Sequence, residues 1–240
     1  MTPISTHLQA VKARIAAAAH AAGRAPDAVA LLAVSKTFGV ADIRRCYTAG
    51  QPSFGENYVQ EALDKITALT DCVIAWHMIG PIQSNKTRPI AEHFQWVHSV
   101  ERDNIAQRLN DARPAHLPPL NVCIQVNVSG EASKSGIAPG GQIALATMIE
   151  GLPRLKLRGL MSIPEPSPDT VLRRQRFAML RAMQENLIER GHRLDTLSMG
   201  MSDDLEDAIA EGATLVRVGT AIFGTRGQGN RIKLPAPDED

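Results

Sequence analysis

Cysteine is scarce in this chain: Cys46, Cys72 and Cys123 are the whole complement, an odd number with no CxxC pair. That argues against a disulfide framework and fits a reducing cytosol. The seven histidines carry no HExxH or similar tight spacing, so a metal site is not expected. An excess of either charge is missing too, with Lys+Arg 26 against Asp+Glu 25 and a net charge of +1. Nucleic acid and anionic membranes are therefore not the expected partners. No run approaches the roughly 18 apolar residues of a membrane span. No acidic residue precedes Asp27, as in a transit peptide, but Lys12, Arg14 and His20 break the Ala-rich start into an ordinary amphipathic helix. No linker divides the 240 residues. One domain is expected over residues 1–230, followed by a polar, disordered tail at 231–240.

What the chain does contain is an alternation of strand and helix signals. Apolar, β-prone runs end near Lys36, Asn57, Gly80, Val100, Val128, Ile163, Met201 and Phe223. Helical patterns lie between them over Val40–Ala49, Glu56–Leu69, Gln83–Glu92, Glu101–Ala112, Pro139–Glu150, Asp169–Arg190 and Ser202–Glu211, and an extra helix near His7–Ala22 comes first. Gly23, Gly50, Gly151, Gly191 and Gly212 stand where helices should stop. Eight strand–helix units predict an α/β fold, a single closed (β/α)8 TIM barrel with an additional N-terminal helix. An open doubly wound sheet fits less well, because Ser35-Lys-Thr-Phe-Gly39 offers one glycine where that fold carries a Gly-rich phosphate loop.

A barrel keeps its chemistry at the carboxyl ends of its strands. The first run, Val29-Ala-Leu-Leu-Ala-Val-Ser-Lys36, ends in a primary amine. Such a lysine either snorkels to water or, desolvated, forms a Schiff base with a carbonyl compound such as pyridoxal phosphate. Asn57 and His77 end the second and third runs and either line a ligand or make structural hydrogen bonds. Ser198-Met-Gly-Met-Ser202 and Val218-Gly219-Thr220 supply hydroxyls, small residues and backbone amides after strands seven and eight, where barrels commonly bind phosphate. A phosphate there would stand across the barrel mouth from Lys36. Arg217, flanked by apolar residues, needs a partner. It would either donate to a pyridine nitrogen, weakening the ring as an electron sink, or bridge to a barrel carboxylate such as Glu56. Lys86 and Lys134 are open between solvated surface and a secondary phosphate or transfer role.

These residues also carry a resemblance over nearly the whole chain. Leu32-Ala-Val-Ser-Lys-Thr37, Phe54-Gly-Glu-Asn-Tyr-Val-Gln-Glu61, Trp76-His-Met-Ile-Gly80, Gln83-Ser-Asn-Lys86, Val126-Asn-Val-Ser-Gly-Glu-Ala-Ser-Lys-Ser-Gly136, Leu197-Ser-Met-Gly-Met-Ser202 and Val216-Arg-Val-Gly-Thr-Ala-Ile-Phe-Gly224 resemble the pyridoxal phosphate homeostasis protein family, which includes the bacterial YggS proteins and the proline synthase co-transcribed homologue of animals. Phe38-Gly39 departs from the charged residues or proline commoner there. The resemblance implies a barrel like the alanine racemase N-terminal domain, with pyridoxal 5'-phosphate as a Schiff base on Lys36. It further implies phosphate contacts from Ser198, Ser202, Gly219 and Thr220 and a pyridine contact from Arg217.

Two functional classes then compete. A racemase or decarboxylase needs acids and bases around the cofactor, and alanine racemases take a tyrosine from a second β-domain. This chain ends soon after its eighth strand, Tyr47 falls in a predicted helix, and Tyr58 follows Asn57. A cytosolic, monomeric carrier or buffer of pyridoxal phosphate, without efficient turnover and serving apo-enzymes, is the expectation; a weak racemase or decarboxylase is the alternative.

Overall fold

The computed structural model describes residues 3–131 and 135–224. The first helix is α1 (Pro3–Ala21), and eight strands follow: β1 (Ala30–Val34), β2 (Ser53–Glu56), β3 (Ala75–Met78), β4 (Trp96–Val100), β5 (Leu120–Gln125), β6 (Leu155–Met161), β7 (Thr196–Ser198) and β8 (Leu215–Val218). Helices α2 (Val40–Thr48), α3 (Val59–Ala68), α4 (Thr87–His93), α5 (Asp103–Ala112), α6 (Gln142–Glu150), α7 (Thr170–Glu189) and α8 (Leu205–Ala210) fill the crossovers, and α9 (Thr220–Phe223) follows the last strand. Every strand pairs in parallel with its sequence neighbour. The sheet closes where β1 meets β8, Ala30 opposite Leu215 and Ala33 opposite Val218. The expected barrel with its extra N-terminal helix is what the chain forms.

Side-chain alternation sorts the strands into two faces. Ala33, Phe54, Trp76, Met78 and Val97 point outward into the main core beneath the helices. Leu32, Val34, Ile79 and Leu215 form a separate, small cluster inside the barrel. Helix α1 buries Ile4, Leu8, Val11, Ile15 and Ala19, a stripe at helical spacing, and packs on α8 and α9. No helix among the described residues is long and apolar enough to cross a membrane.

Several element ends differ from the sequence expectation. Helix α3 begins at Val59, three residues after Glu56, because Glu56 is still extended and pairs with Met78. The 83–92 helix divides into a 3-10 turn at Ser84–Lys86 and α4. Helix α8 begins at Leu205, since Ser202 lies in the loop after β7. The eighth strand stops at Val218, and Thr220–Phe223 is a short helix. Lys134 and the 231–240 tail lie outside the described residues.

At Gly159 the β5–β6 register shifts, and Gln184 Oε1 accepts from the Leu160 amide at 3.2 Å. A Cβ at Gly159 would overlap the Thr196 carbonyl oxygen and sit 2.6 Å from Gln184 Oε1. Backbone cannot yield there as a flexible side chain can. We expect Gly159→Ala to lose roughly 3 kcal/mol or more of stability, read from the midpoint of urea unfolding; an unchanged midpoint would contradict the close approach.

Candidate functional site

Strand β1 stops at Val34, and Ser35-Lys36-Thr37-Phe38 forms a turn in which the Phe38 amide donates to the Ser35 carbonyl at 3.0 Å. Thr37 has φ 70°, a left-handed conformation unusual for a β-branched residue. Alternation continues through the strand end. It sets Lys36 on the parity of Leu32 and Val34, the inner face, and Ser35 on that of Ala33, the outer one.

Behind the strand end lies a buried charged cluster. Ser35 Oγ donates to Glu56 Oε1 at 2.5 Å. The Lys65 ammonium, on α3, donates to Ser35 O at 2.8 Å, Glu56 Oε1 at 2.8 Å and Glu61 Oε1 at 2.6 Å. Glu61 Oε1 also accepts from the Thr37 amide at 2.6 Å. Burial pushes the Glu56 carboxyl up to about 7, against the pull of the Lys65 ammonium.

Inside the barrel a second chain of polar groups runs from β8 to β3. Arg217 Nη1 donates to Ser198 O at 2.6 Å and to Ser198 Oγ at 2.8 Å, and Nη2 donates to Ser162 O at 2.8 Å. Ser198 Oγ pairs with His98 Nδ1 at 2.8 Å, and His98 Nε2 with His77 Nδ1 at 2.9 Å. His77 stacks flat on Trp96, ring centroids 5.3 Å apart. Burial holds His77 down at about 3 and His98 well below the ordinary histidine range, the latter helped by His77 and Arg217. Burial also lowers Arg217 to about 10.

Arg217 therefore makes no bond to Glu56, the salt bridge its sequence left open. It sits on the inner face with Leu215, whereas Glu56 faces α3, and its acceptors are two carbonyls and a hydroxyl. Three bonds use three of the five guanidinium N–H groups, so two remain without an acceptor among the described residues, and no carboxylate of these residues forms an ion pair with this buried cation.

Three buried oxygens have no hydrogen-bond partner among the described residues: Glu56 Oε2, Asn57 Oδ1 and Ser162 Oγ. They lie at or just past the carboxyl ends of β2 and β6. Buried polar atoms are ordinarily paired, so this end of the barrel has hydrogen-bonding capacity in reserve. Gly200, φ 92°, turns the chain after β7, and Ser202 follows in that loop with its carbonyl accepting from Arg14 at 3.1 Å. Gly219 and Thr220 open α9, whose first amides a helix leaves without intrahelical partners. A Cβ at Gly219 would lie 3.1 Å from Val34 O, and Phe223 stacks on Phe38 at 4.9 Å. The loop after β8 thus stands beside the Lys36 turn, not across the mouth from it, because closure makes β8 the neighbour of β1.

The structure brings Ser198 and Arg217 into direct contact, puts Gly219 and Thr220 next to the Lys36 turn, and leaves Asn57 with a spare acceptor. His77 joins only through His98, inside the barrel. Lys86 ends the 3-10 turn before α4. Sequence reading passed over His98, Glu61 and Lys65. Their signals were present: His98 alternates with buried Val97 and Ser99, and Glu61 and Lys65 stand at i, i+4 on one helix face.

A primary amine, a buried guanidinium with spare donors, small residues at a helix start and unpaired acceptors fit an anionic, aldehyde-bearing pyridine. Residues 6–227 match the family model described as the alanine racemase N-terminal domain. A curated relative from Pseudomonas aeruginosa named pyridoxal phosphate homeostasis protein is 61% identical over 229 residues, 95% of this chain and 98% of the relative. One of the same name from Escherichia coli is 51% identical over 232 residues, covering 94% and 98%. The solved structure of PipY from Synechococcus elongatus with PLP bound superposes with a TM-score of 0.81 at 36% identity, over 92% of this chain and 100% of that one. Alanine racemase from Clostridium difficile, at 12% identity and a TM-score of 0.71 over 85% of this chain and 55% of its own, shares the fold.

The buried histidines and Glu56 set opposite pH dependences. Unfolded histidine takes up a proton near 6.5, whereas His77 in the fold refuses it until about 3, so stability present at neutral pH is lost as pH falls across that window. Glu56, raised to about 7, binds its proton earlier in the fold than in the unfolded chain and opposes that loss between 7 and 4.5. We expect the urea midpoint to fall gently from pH 7 to 4.5 and more steeply below. In Glu56→Gln the descent should steepen already from pH 6.5; a parallel profile would contradict the assignment.

Proposed function

The chain belongs to the pyridoxal phosphate homeostasis protein family, built on the alanine racemase N-terminal fold, and from that membership we propose that it binds pyridoxal 5'-phosphate on Lys36 as a carrier or buffer in vitamin B6 homeostasis. Bound there, the cofactor supplies an aldehyde that a primary amine holds as a Schiff base. The observation that carries the reading is the convergence of the Lys36 turn, the spare donors of Arg217 and the open oxygens of Asn57 and Ser162 at one end of the barrel. Ser198 fixes Arg217 in place. Gly219, Thr220 and Ser202 receive the phosphate with amides and hydroxyls, and Asn57 lines the ring. His77 supports this set from within through His98.

Holding the cofactor is better supported than turning over an amino acid. The inner histidines are kept neutral by burial, and the Cys123 thiol is pushed up to about 12. Tyr47 spends its hydroxyl on the Val73 amide at 3.1 Å, before β3 and so at the barrel's other end. None of these is poised to move a proton at substrate carbon near neutral pH. We place the protein in the cytosol as a monomer that passes cofactor to apo-enzymes.

The protein loaded with pyridoxal phosphate should be yellow, and borohydride should fix a label on Lys36. Lys36→Ala should lose both; a label elsewhere would sink the assignment. A racemase and decarboxylase panel should show no turnover above the Lys36→Ala background, and faster delivery to an apo-enzyme than from free cofactor would mark a carrier. Thr220→Val should weaken pyridoxal phosphate binding about tenfold, the weight of one hydrogen bond to a charged group, by fluorescence titration; an unchanged affinity would move the phosphate elsewhere.

A further inference from the structure

The cluster behind β1 is aimed at the backbone on both sides of Lys36. Its contacts there are the Ser35 carbonyl, the Ser35 hydroxyl and the Thr37 amide. Lys65 is 5% exposed and Glu56 fully buried. Burying an ion pair is a poor way to stabilise a fold, since desolvation consumes most of the attraction. What such a pair can do is specify one geometry. The geometry in question is the turn itself, whose Thr37 is the one non-glycine residue with positive φ among the described residues. A branched Cβ disfavours that conformation, and it persists only where the surroundings over-determine it. Here the Glu61 carboxylate anchors the Thr37 amide, the Lys65 ammonium anchors both Glu61 and the Ser35 carbonyl, and Glu56 anchors Lys65 and the Ser35 hydroxyl.

We propose that Glu61 and Lys65, joined through Glu56, are positioning residues for Lys36: they hold residues 35 and 37 in the left-handed turn that presents the lysine amine to an aldehyde. This inference rests on Lys36 being the attachment point. These groups stand on the outer side of the barrel wall, so they serve the amine without touching the ligand.

The test separates attachment from cradle binding. Pyridoxine 5'-phosphate carries the same ring and phosphate with an alcohol in place of the aldehyde, so it needs the cradle but not the amine. In Glu61→Ala, affinity for pyridoxal phosphate should fall about tenfold, the scale of one disfavoured left-handed residue, while that for pyridoxine phosphate stays within about twofold. Glu61→Gln, which keeps an acceptor for the Thr37 amide, should restore attachment. Thr37→Gly added to Glu61→Ala should recover at least roughly threefold, because glycine adopts the turn without the anchor. Should Glu61→Ala not fold, Glu61→Gln is compared with Glu61→Leu, which keeps bulk without an acceptor; only the latter should lose attachment. Equal weakening of both ligands, or no weakening, would overturn the proposal. If borohydride labels another amine in the unaltered protein, the Lys36 assignment itself falls, and the inference with it.

Discussion

The hydrogen-bonded closure of β8 onto β1 is the constraint on which this molecule depends. It pairs Leu32 with Arg217 and Ala33 with Val218, joining the first strand to the last along one seam. Most of what is proposed for the ligand lies on or next to that seam: the Lys36 turn continues one strand, Gly219 and Thr220 the other, and Ser198 reaches Arg217 from the adjacent β7. Closure also leaves no sheet edge, so the mouth can be furnished with polar loops without inviting strand addition. Helix α1 reinforces the seam from outside through its packing on α8 and α9.

Alternation along the strands then divides labour between two faces. The inner face holds a cation and two neutral histidines around a small apolar plug of Leu32, Val34, Ile79 and Leu215, and the outer face holds Glu56 and Lys65 among aliphatic residues. Polar groups in such surroundings are destabilising unless paired. Nearly all of these are paired, and the few unpaired oxygens gather at one end. That asymmetry separates parts of the barrel that serve folding from the part available to a ligand.

The sequence made the barrel legible because continuous apolar runs ending in polar residues are what buried parallel strands require, and eight of them recur with helical patterns between. Lys36, Arg217 and Ser198 were legible for the same reason, as polar residues placed where apolar ones belong. Three things were not. The start of α3 was read from helix-forming residues at Glu56, but a strand pairing with Met78 overrode that propensity. The place of the β8 loop beside Lys36 follows from ring closure, which a linear reading of strand ends does not express. His98 and Lys65 were hidden because a lone histidine in a strand and a lysine on a helix are each ordinary until their partners, distant in sequence, are known.

Lys65 has a consequence for chemical selectivity. Two primary amines serve one turn of the fold, Lys36 on the inner side of the barrel wall and Lys65 on the outer one. Nucleophilic attack requires a nitrogen lone pair, and the ammonium of Lys65 spends its three N–H groups on Ser35 O, Glu56 and Glu61. It has none to offer. The carboxylates that brace the turn thereby occupy the second amine, so the site distinguishes one lysine from another by the bonds each already makes and by the face of the wall on which it stands.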